Sequence, residues 1–152
     1  MASAKELNTI DDVIIMMDQY LSQIHKFFSE RELDQKVAGI LSQASDADEI
    51  FKSQLVSSYM EQFTRIAMNV AYLKQPVVKE GIFQQKLNGT VELDDEPVSA
   101  GTRLEYLIDD LWHYGILHQD KITKKFFITN WKGDKKIERI EQLHVRIRKM
   151  QE

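Results

Sequence analysis

The side chains best suited to chemistry are four histidines and two acidic clusters, and their spacing limits what they could do. The histidines are His25, His113, His118 and His144. No two of them have the i, i+4 spacing with which a helix holds a metal ion. The acidic clusters Asp94-Asp95-Glu96 and Asp109-Asp110 are typical of solvated turns, whereas acid–base catalysis needs two carboxylates in opposed environments. We therefore predict a protein that is not an enzyme.

Sequence motifs for cofactors and nucleophiles are also missing. The chain has no Cys, which excludes thiol nucleophiles, disulfides and Cys-ligated metals. It has no glycine-rich phosphate loop, no GxSxG elbow and no HExxH pair. No apolar run is long enough to span a bilayer, and the first residues do not form a signal peptide. We expect a cytoplasmic protein with no cofactor, no metal and no membrane partner.

Charge is distributed unevenly along a chain whose net charge is -4. Residues 77–110 contain 3 basic and 8 acidic residues, whereas residues 111–152 contain 10 basic and 5 acidic residues. Two interpretations follow. Acidic and basic strands could pair with each other inside one small domain. The basic third could instead form a face for an anionic partner.

Aromatic and basic residues alternate in the last third, as a platform for single-stranded nucleic acid requires. The candidate residues for such a surface are Trp112, Tyr114, Lys121, Lys124, Lys125, Trp131, Lys135, Lys136, Arg146 and Arg148. The strand pattern around Phe126 and Phe127 can turn only about half of the rings outward, and the other half would form the core. The acidic net charge weighs against nonspecific binding to phosphates.

Helical periodicity predicts helices in the first half of the chain. Thr9 and Asp12 form a capping box ahead of a long amphipathic helix, and Ser29 with Glu32 repeats that signature before a second helix. A third helix is predicted from Ser45-Asp46-Ala47-Asp48 to Gln75, where Pro76 ends it. Gly39 weakens the second helix by about 1 kcal/mol relative to Ala.

The third helix carries the longest apolar stripe. Its members are Phe51, Leu55, Tyr59, Phe63, Ile66, Val70 and Leu73. We interpret this stripe mainly as intramolecular core, with a homodimer interface as the alternative. Two or three helices cannot easily cover all the apolar side chains of the helical half, among them Met16, Met17, Phe27, Phe28, Met60 and Met68.

From Val77 onward the apolar period changes to two, which predicts strands. Asn88-Gly89 predicts a type I′ hairpin turn. The next strands are predicted at residues 104–108, 111–118, 122–129 and 144–148, with a short helical turn at residues 137–143. We predict an α+β protein, with a helical hairpin or three-helix unit at residues 1–76 and a small SH3-like antiparallel β-barrel at residues 77–152.

Three segments of the second half resemble a known family. They are Ile108-Asp109-Asp110-Leu111-Trp112-His113-Tyr114-Gly115-Ile116, Phe126-Phe127-Ile128 and Leu143-His144-Val145-Arg146-Ile147-Arg148. Together they resemble a small β-barrel domain of unknown function that plasmids, conjugative elements and phages of Gram-positive bacteria encode. The family tends to have Gly before the last strand, where this chain has Glu141-Gln142-Leu143. The resemblance implies an accessory protein of a mobile genetic element, and it implies no activity.

Binding of a protein partner is the function that we favour from the sequence. A helical half rich in Met and Phe favours a docking surface, because Met adapts to irregular partners. A second form of this function is inhibition of a host defence nuclease by an acidic surface that occupies its phosphate-binding cleft. The residues of that candidate surface are Asp94, Asp95, Glu96, Asp109 and Asp110.

Overall fold

The computed structural model describes residues 7–150, and it confirms an α+β protein with helices first and antiparallel strands second. The chain divides into two compact units between Lys74 and Gln75. The first contains three helices and the second contains nine strands in the described part of the chain.

The helices are α1 (Ile10–Glu30), α2 (Leu33–Gln43) and α3 (Ala47–Lys74). The capping box predicted for α1 is confirmed. The Thr9 hydroxyl oxygen accepts the Asp12 N–H at 3.1 Å, and the Asp12 carboxylate accepts the Thr9 N–H at 3.1 Å. These bonds satisfy two backbone donors that a helix start would otherwise leave without partners.

The second capping signature is wrong, although the break between the first two helices is present. Ser29 lies inside α1, and the residue that precedes α2 is Glu32, whose side chain makes no capping bond. Glu32 has a φ of 50°, in the left-handed region. The backbone conformation at residues 31–32, rather than a side-chain cap, therefore separates α1 from α2.

Two contacts show how the helices pair. Lys74 Nζ lies 2.8 Å from the Asp18 carboxylate, and the rings of Phe28 and Phe63 meet edge-on with centroids 6.1 Å apart. Residue numbers rise along α1 while they fall along α3, so these helices are antiparallel. A three-residue loop, residues 44–46, joins α2 to α3, and α2 packs against α3 as well.

The first unit is therefore a helical hairpin in which α1 and α2 together form one arm and α3 forms the other. A hairpin has one seam between its arms, and a single seam can bury few side chains. No residue of α1 or α2 is buried, and the buried residues of α3 are Ser53, Met60 and Val70. The prediction that the long apolar stripe of α3 forms a core is wrong for Phe51, Tyr59, Ile66 and Leu73, which are exposed, and Phe63 is 41% exposed although its ring meets Phe28.

The second unit consists of two antiparallel sheets. The strands are β1 (Val77–Ile82), β2 (Gln84–Gln85), β3 (Val91–Leu93), β4 (Glu96–Pro97), β5 (Arg103–Ile108), β6 (Leu111–Gln119), β7 (Phe126–Asn130), β8 (Lys136–Ile137) and β9 (His144–Arg148). The larger sheet has the order β1-β9-β5-β6-β7-β8, and the smaller has the order β2-β3-β4. Among the described residues β1 and β8 do not pair with each other, so the larger sheet does not close into a barrel.

Strand alternation builds the core of this unit. On β5, β6, β7 and β9 every second side chain points inward, and the fully buried members include Leu104, Leu117, Ile128 and Val145. Gly115 on β6 allows close packing, because a Cβ there would lie 2.6 Å from the Thr129 carbonyl oxygen.

The hairpin turns differ from the prediction at Asn88-Gly89. The hairpin is present between β2 and β3, but only Gly89 has a positive φ, and its N–H donates to the Lys86 carbonyl. The turn is thus a three-residue loop in which Gly89 takes the left-handed position. Positive φ at both central residues, which a type I′ turn needs, occurs instead at Asp94-Asp95 and Asp109-Asp110.

Two further predictions in the second unit are wrong. The strand predicted from residue 122 begins at Phe126, because the Asp120 carboxylate accepts the N–H groups of Ile122 and Thr123 at 2.8 Å and forms a loop. The predicted helical turn at residues 137–143 contains the end of β8 and a simple turn at residues 141–142. The last strand, His144–Arg148, is confirmed.

Candidate functional site

Two surfaces of the protein could bind a partner. The first is the solvent side of the larger sheet, which we call the outer sheet face. It consists of Arg103, Glu105, Trp112, Tyr114, His118, Phe127, Lys136, His144, Arg146 and Arg148, and their strands β9, β5, β6, β7 and β8 are consecutive neighbours in the sheet.

A carboxylate with two guanidinium partners lies in the middle of this face. Glu105 on β5 is 6% exposed, and its carboxylate lies 2.7 Å from Nη2 of Arg146 and 2.9 Å from Nε of Arg148. Arg148 also donates to the Gln75 carbonyl at 2.8 Å. Burial would penalise this charge, and the two guanidinium groups offset that penalty. Acidic and basic strands therefore pair with each other here, as the first charge interpretation predicted.

Trp112 extends this network onto β6. The Arg146 guanidinium lies over its ring, 4.1 Å from the centroid, and the His144 ring meets it edge-on at 5.2 Å. His144 in turn lies 3.3 Å from the Glu80 carboxylate. The indole is half-buried between these neighbours, which hold it in one orientation.

A second aromatic group lies on β6 and β7. His118 stacks on Phe127 at 5.2 Å and shares a 2.8 Å hydrogen bond with the Thr129 hydroxyl. The Lys136 ammonium group lies over the Phe127 ring, with Nζ 4.3 Å from the ring centroid. Phe126, the preceding residue, packs against the core, so only one of the two rings faces outward as predicted.

Tyr114 lies between these two groups. Burial raises the pKa of its phenol above the ordinary value, whereas the charge of Arg103 and its hydrogen bond to the phenol act in the opposite direction. Tyr114 is also the cross-strand neighbour of Glu105.

The remaining residues of the predicted nucleic-acid surface lie in loops. Lys121, Lys124 and Lys125 belong to the β6–β7 loop, and Lys135 lies between β7 and β8. Trp131 follows β7 and is largely exposed, with Lys132 over its ring at 5.2 Å. The predicted set is thus divided, with Trp112, Tyr114, Lys136, Arg146 and Arg148 on the outer sheet face and the others in loops.

The predicted acidic surface is built from separate turns. Asp94 and Asp95 connect β3 to β4, whereas Asp109 and Asp110 connect β5 to β6. Glu96 forms an ion pair with Lys79. Asp is one of the few residue types that tolerates the left-handed conformation of these turns, so their local role is structural.

The second surface belongs to the helical unit. We call it the helical-hairpin face, and its residues are Tyr20, Phe27, Tyr59, Ile66 and Leu73. Their side chains are between 46% and 61% exposed. Isolated exposed apolar residues are normal, but a group of large ones on two neighbouring helices is not.

The sequence analysis assigned most residues of the helical-hairpin face on α3 to the core. It did so because α3 carries apolar residues both where it contacts the other arm and on the flank beside that contact. A row of α3 residues that are buried, partly buried or in contact with α1 recurs at intervals of three, four or seven, namely Ser53, Met60, Phe63, Ala67, Val70 and Lys74. This seam contains a Ser, an Ala and a Lys, and it is less apolar than the stripe next to it. Apolar content alone therefore favours the wrong flank.

Two kinds of site are absent from the described part of the chain. Within residues 7–150, no three His, Asp or Glu side chains come together as metal ligands would. In the same residues, no helix has the length and apolar content that crossing a bilayer requires.

Comparisons of the chain with protein-family models, with curated proteins and with solved structures find no match.

Proposed function

We propose that this is a non-enzymatic binding protein that acts through protein–protein contacts, and that the helical-hairpin face makes those contacts. One observation supports this most strongly. Five large apolar side chains on α1 and α3 remain about half exposed, although their helices already pack against each other.

The physical argument concerns the cost of that exposure. Burying apolar surface contributes about 25 cal/mol per Å², and a face of several half-exposed aromatic and aliphatic side chains leaves much of this free energy unused. Contiguous apolar patches on soluble proteins commonly mark interaction sites. Met17, which is 42% exposed on α1, can adapt to a partner's shape.

The test is capture of partners by the immobilised full-length protein from a nuclease-treated lysate of a Gram-positive bacterium, the type of host that the sequence resemblance implies. We expect Ile66→Asp to lose partners that the native protein retains, because it introduces a charge into an apolar contact. Ile122→Asp is the matched control, since Ile122 is 92% exposed in a loop of the other unit. Equal capture by the native protein and Ile66→Asp would refute the proposal.

A second candidate function is binding of single-stranded nucleic acid on the outer sheet face. It is favoured by the presence of Trp112, Tyr114 and Phe127 on one face beside cationic side chains. The pairing of Arg146 and Arg148 with Glu105 reduces the charge available to phosphates. We expect any such binding to quench tryptophan fluorescence, to weaken steeply with salt and to be lost in Phe127→Ala.

We also propose that the strand order is that of a partly open SH3-like barrel. The first strand of the larger sheet, β1, pairs with the last, β9, and β9 pairs with β5, the first strand of the meander β5-β6-β7-β8. An experimental structure in which β9 pairs with other strands would refute this description.

A further inference from the structure

We infer that the helical-hairpin face binds a second copy of this chain, so that two hairpins form a four-helix arrangement. This inference rests on the proposed function and names its partner. Four features support it: the spacing of the apolar residues, their positions around the seam, the lack of charge between them and the area available.

The spacing is that of a helix–helix contact. Tyr20 and Phe27 are seven residues apart on α1, and Tyr59, Ile66 and Leu73 follow each other at intervals of seven on α3. A seven-residue repeat keeps side chains on one flank of a helix and matches the repeat of a packed partner helix. Each arm of the hairpin therefore presents a continuous apolar column to another helix.

The two columns lie on the same side of the hairpin. Tyr20 and Phe27 each precede a seam residue, Leu21 and Phe28, and one residue of an α-helix corresponds to a rotation of about 100°. The α3 column has the same offset from its own seam, because Ile66 precedes Ala67 and Leu73 precedes Lys74. In antiparallel helices, equal rotations away from the contact point to the same side.

The positions between successive members of the columns, on their outer flank, carry no charge. They are Gln23 on α1, and Gln62 and Asn69 on α3. The Arg31 guanidinium lies over the ring of Phe27, but it does so at the end of α1 rather than along the column. Two identical surfaces repel each other when like charges lie near their symmetry axis, and the cores of protein interfaces are depleted in charged residues. Uncharged positions between the column members suit contact with an identical face, and two charged residues further along that flank of α1, Lys26 and Glu30, form an ion pair with each other.

The area is sufficient for a stable dimer. An aromatic side chain can bury 150–250 Å², so each half-exposed member of the face offers about 100 Å². Five such residues, with Met17 and the partly covered Val13 and Ile24 beside them, provide roughly 600–700 Å² per partner, which is at the lower end of the range for specific interfaces. The two faces can also match each other, because the α1 column of one copy can pack on the α3 column of the other.

The direct test is sedimentation equilibrium of the full-length protein over a range of concentrations. We expect a mass of two chains for the native protein and for Ile122→Asp, and a mass of one chain for Ile66→Asp and for Tyr20→Asp. A native protein of one-chain mass at all concentrations would overturn the inference. So would a dimer that both face variants leave intact.

A second measurement does not depend on the folding of a disruptive variant. Because the chain has no native Cys and Gln23 is exposed, Gln23→Cys can carry a single nitroxide label at the border of the face. We expect a dipolar distance between two copies that disappears when labelled protein is diluted with excess unlabelled protein. Absence of a dipolar signal from undiluted labelled protein that sediments as a single chain would contradict the inference.

The outcomes separate this inference from the proposed function. If the native protein is one chain but Ile66→Asp still loses a captured partner, the second copy is the wrong occupant and the proposed function stands. If the native protein is one chain and Ile66→Asp captures everything that the native protein does, both are wrong.

Discussion

Glu105 is the residue on which the polar structure of the second unit is centred. Its carboxylate accepts hydrogen bonds from guanidinium groups of two β9 residues, Arg146 and Arg148, and one of these, Arg146, also covers Trp112. A carboxylate that is buried and paired in this way costs little while both partners are present. Removing the charge on one side leaves two partly buried cations without compensation.

We predict that Glu105→Gln lowers the free energy of unfolding by about 2–3 kcal/mol, somewhat below the usual cost of breaking a buried pair because both guanidinium groups remain partly exposed. The measurement is urea unfolding followed by tryptophan fluorescence. Trp112 lies in this network, so its emission should also change in the folded state.

The matched control is Glu80→Gln on β1, which pairs with the other side of β9. Glu80 faces His144 on the same side of the sheet, but both side chains are substantially exposed. We expect a change of less than about 1 kcal/mol, as for other exposed ion pairs. If both substitutions lowered the free energy of unfolding by the same amount, the burial of Glu105 would not explain the effect of Glu105→Gln.

Glu105 also shows which residues could be predicted from the sequence. Thr9 and Asp12 of the capping box are three positions apart, and the sequence was sufficient to predict it. The partners of Glu105 lie 41 and 43 residues away. Charge counting suggested that acidic and basic strands pair, but no local pattern identifies which acid pairs with which base.

At the scale of elements, helices and strands were predicted correctly where they depend on the spacing of apolar residues and on turn residues close to them in sequence. The helices and the last strand begin and end close to their predicted residues. The stripe of α3 was assigned to the core because it is more apolar than the true seam, and packing between the arms decided otherwise. Asn88-Gly89 was assigned a type I′ turn, but the loop closes from Lys86 and leaves only Gly89 at positive φ.

The β6–β7 loop depends on one carboxylate, and this gives a pH-dependent prediction. Hydrogen bonds from the backbone N–H groups of Thr123 and Ile122 hold the pKa of Asp120 below its usual value. A lowered pKa means that Asp120 stabilises the fold above its unfolded-state pKa, and that this contribution is lost as pH falls through the folded-state pKa.

We therefore expect Asp120→Ala to melt at a lower temperature than the native protein at pH 7, and the difference to shrink as the pH falls below about 4. Thermal melts at several pH values check this. Lys121→Ala in the same loop is the control, because Lys121 is exposed and its substitution leaves the Asp120 carboxylate in place. A difference between native and Asp120→Ala that is constant with pH would contradict the account.

At the scale of the whole molecule, the two units can be observed separately. Both tryptophans, Trp112 and Trp131, lie in the second unit, whereas α1, α2 and α3 all lie in the first. Tryptophan fluorescence therefore follows the sheets, and far-ultraviolet circular dichroism follows mainly the helices. A two-arm hairpin with one seam has little core of its own, so its stability should depend on what covers its open face.

We predict that the helical melting temperature rises with protein concentration, because a dimer that forms only from folded hairpins shifts the unfolding equilibrium by mass action. The melting temperature followed by tryptophan fluorescence should shift less with concentration. The core of the second unit, which includes Leu104, Leu117, Ile128 and Val145, is complete within one chain. Ile66→Asp should abolish the concentration dependence of the helical signal and leave the tryptophan melt unchanged. A helical melting temperature that is independent of concentration in the native protein would show that one chain alone sustains the hairpin.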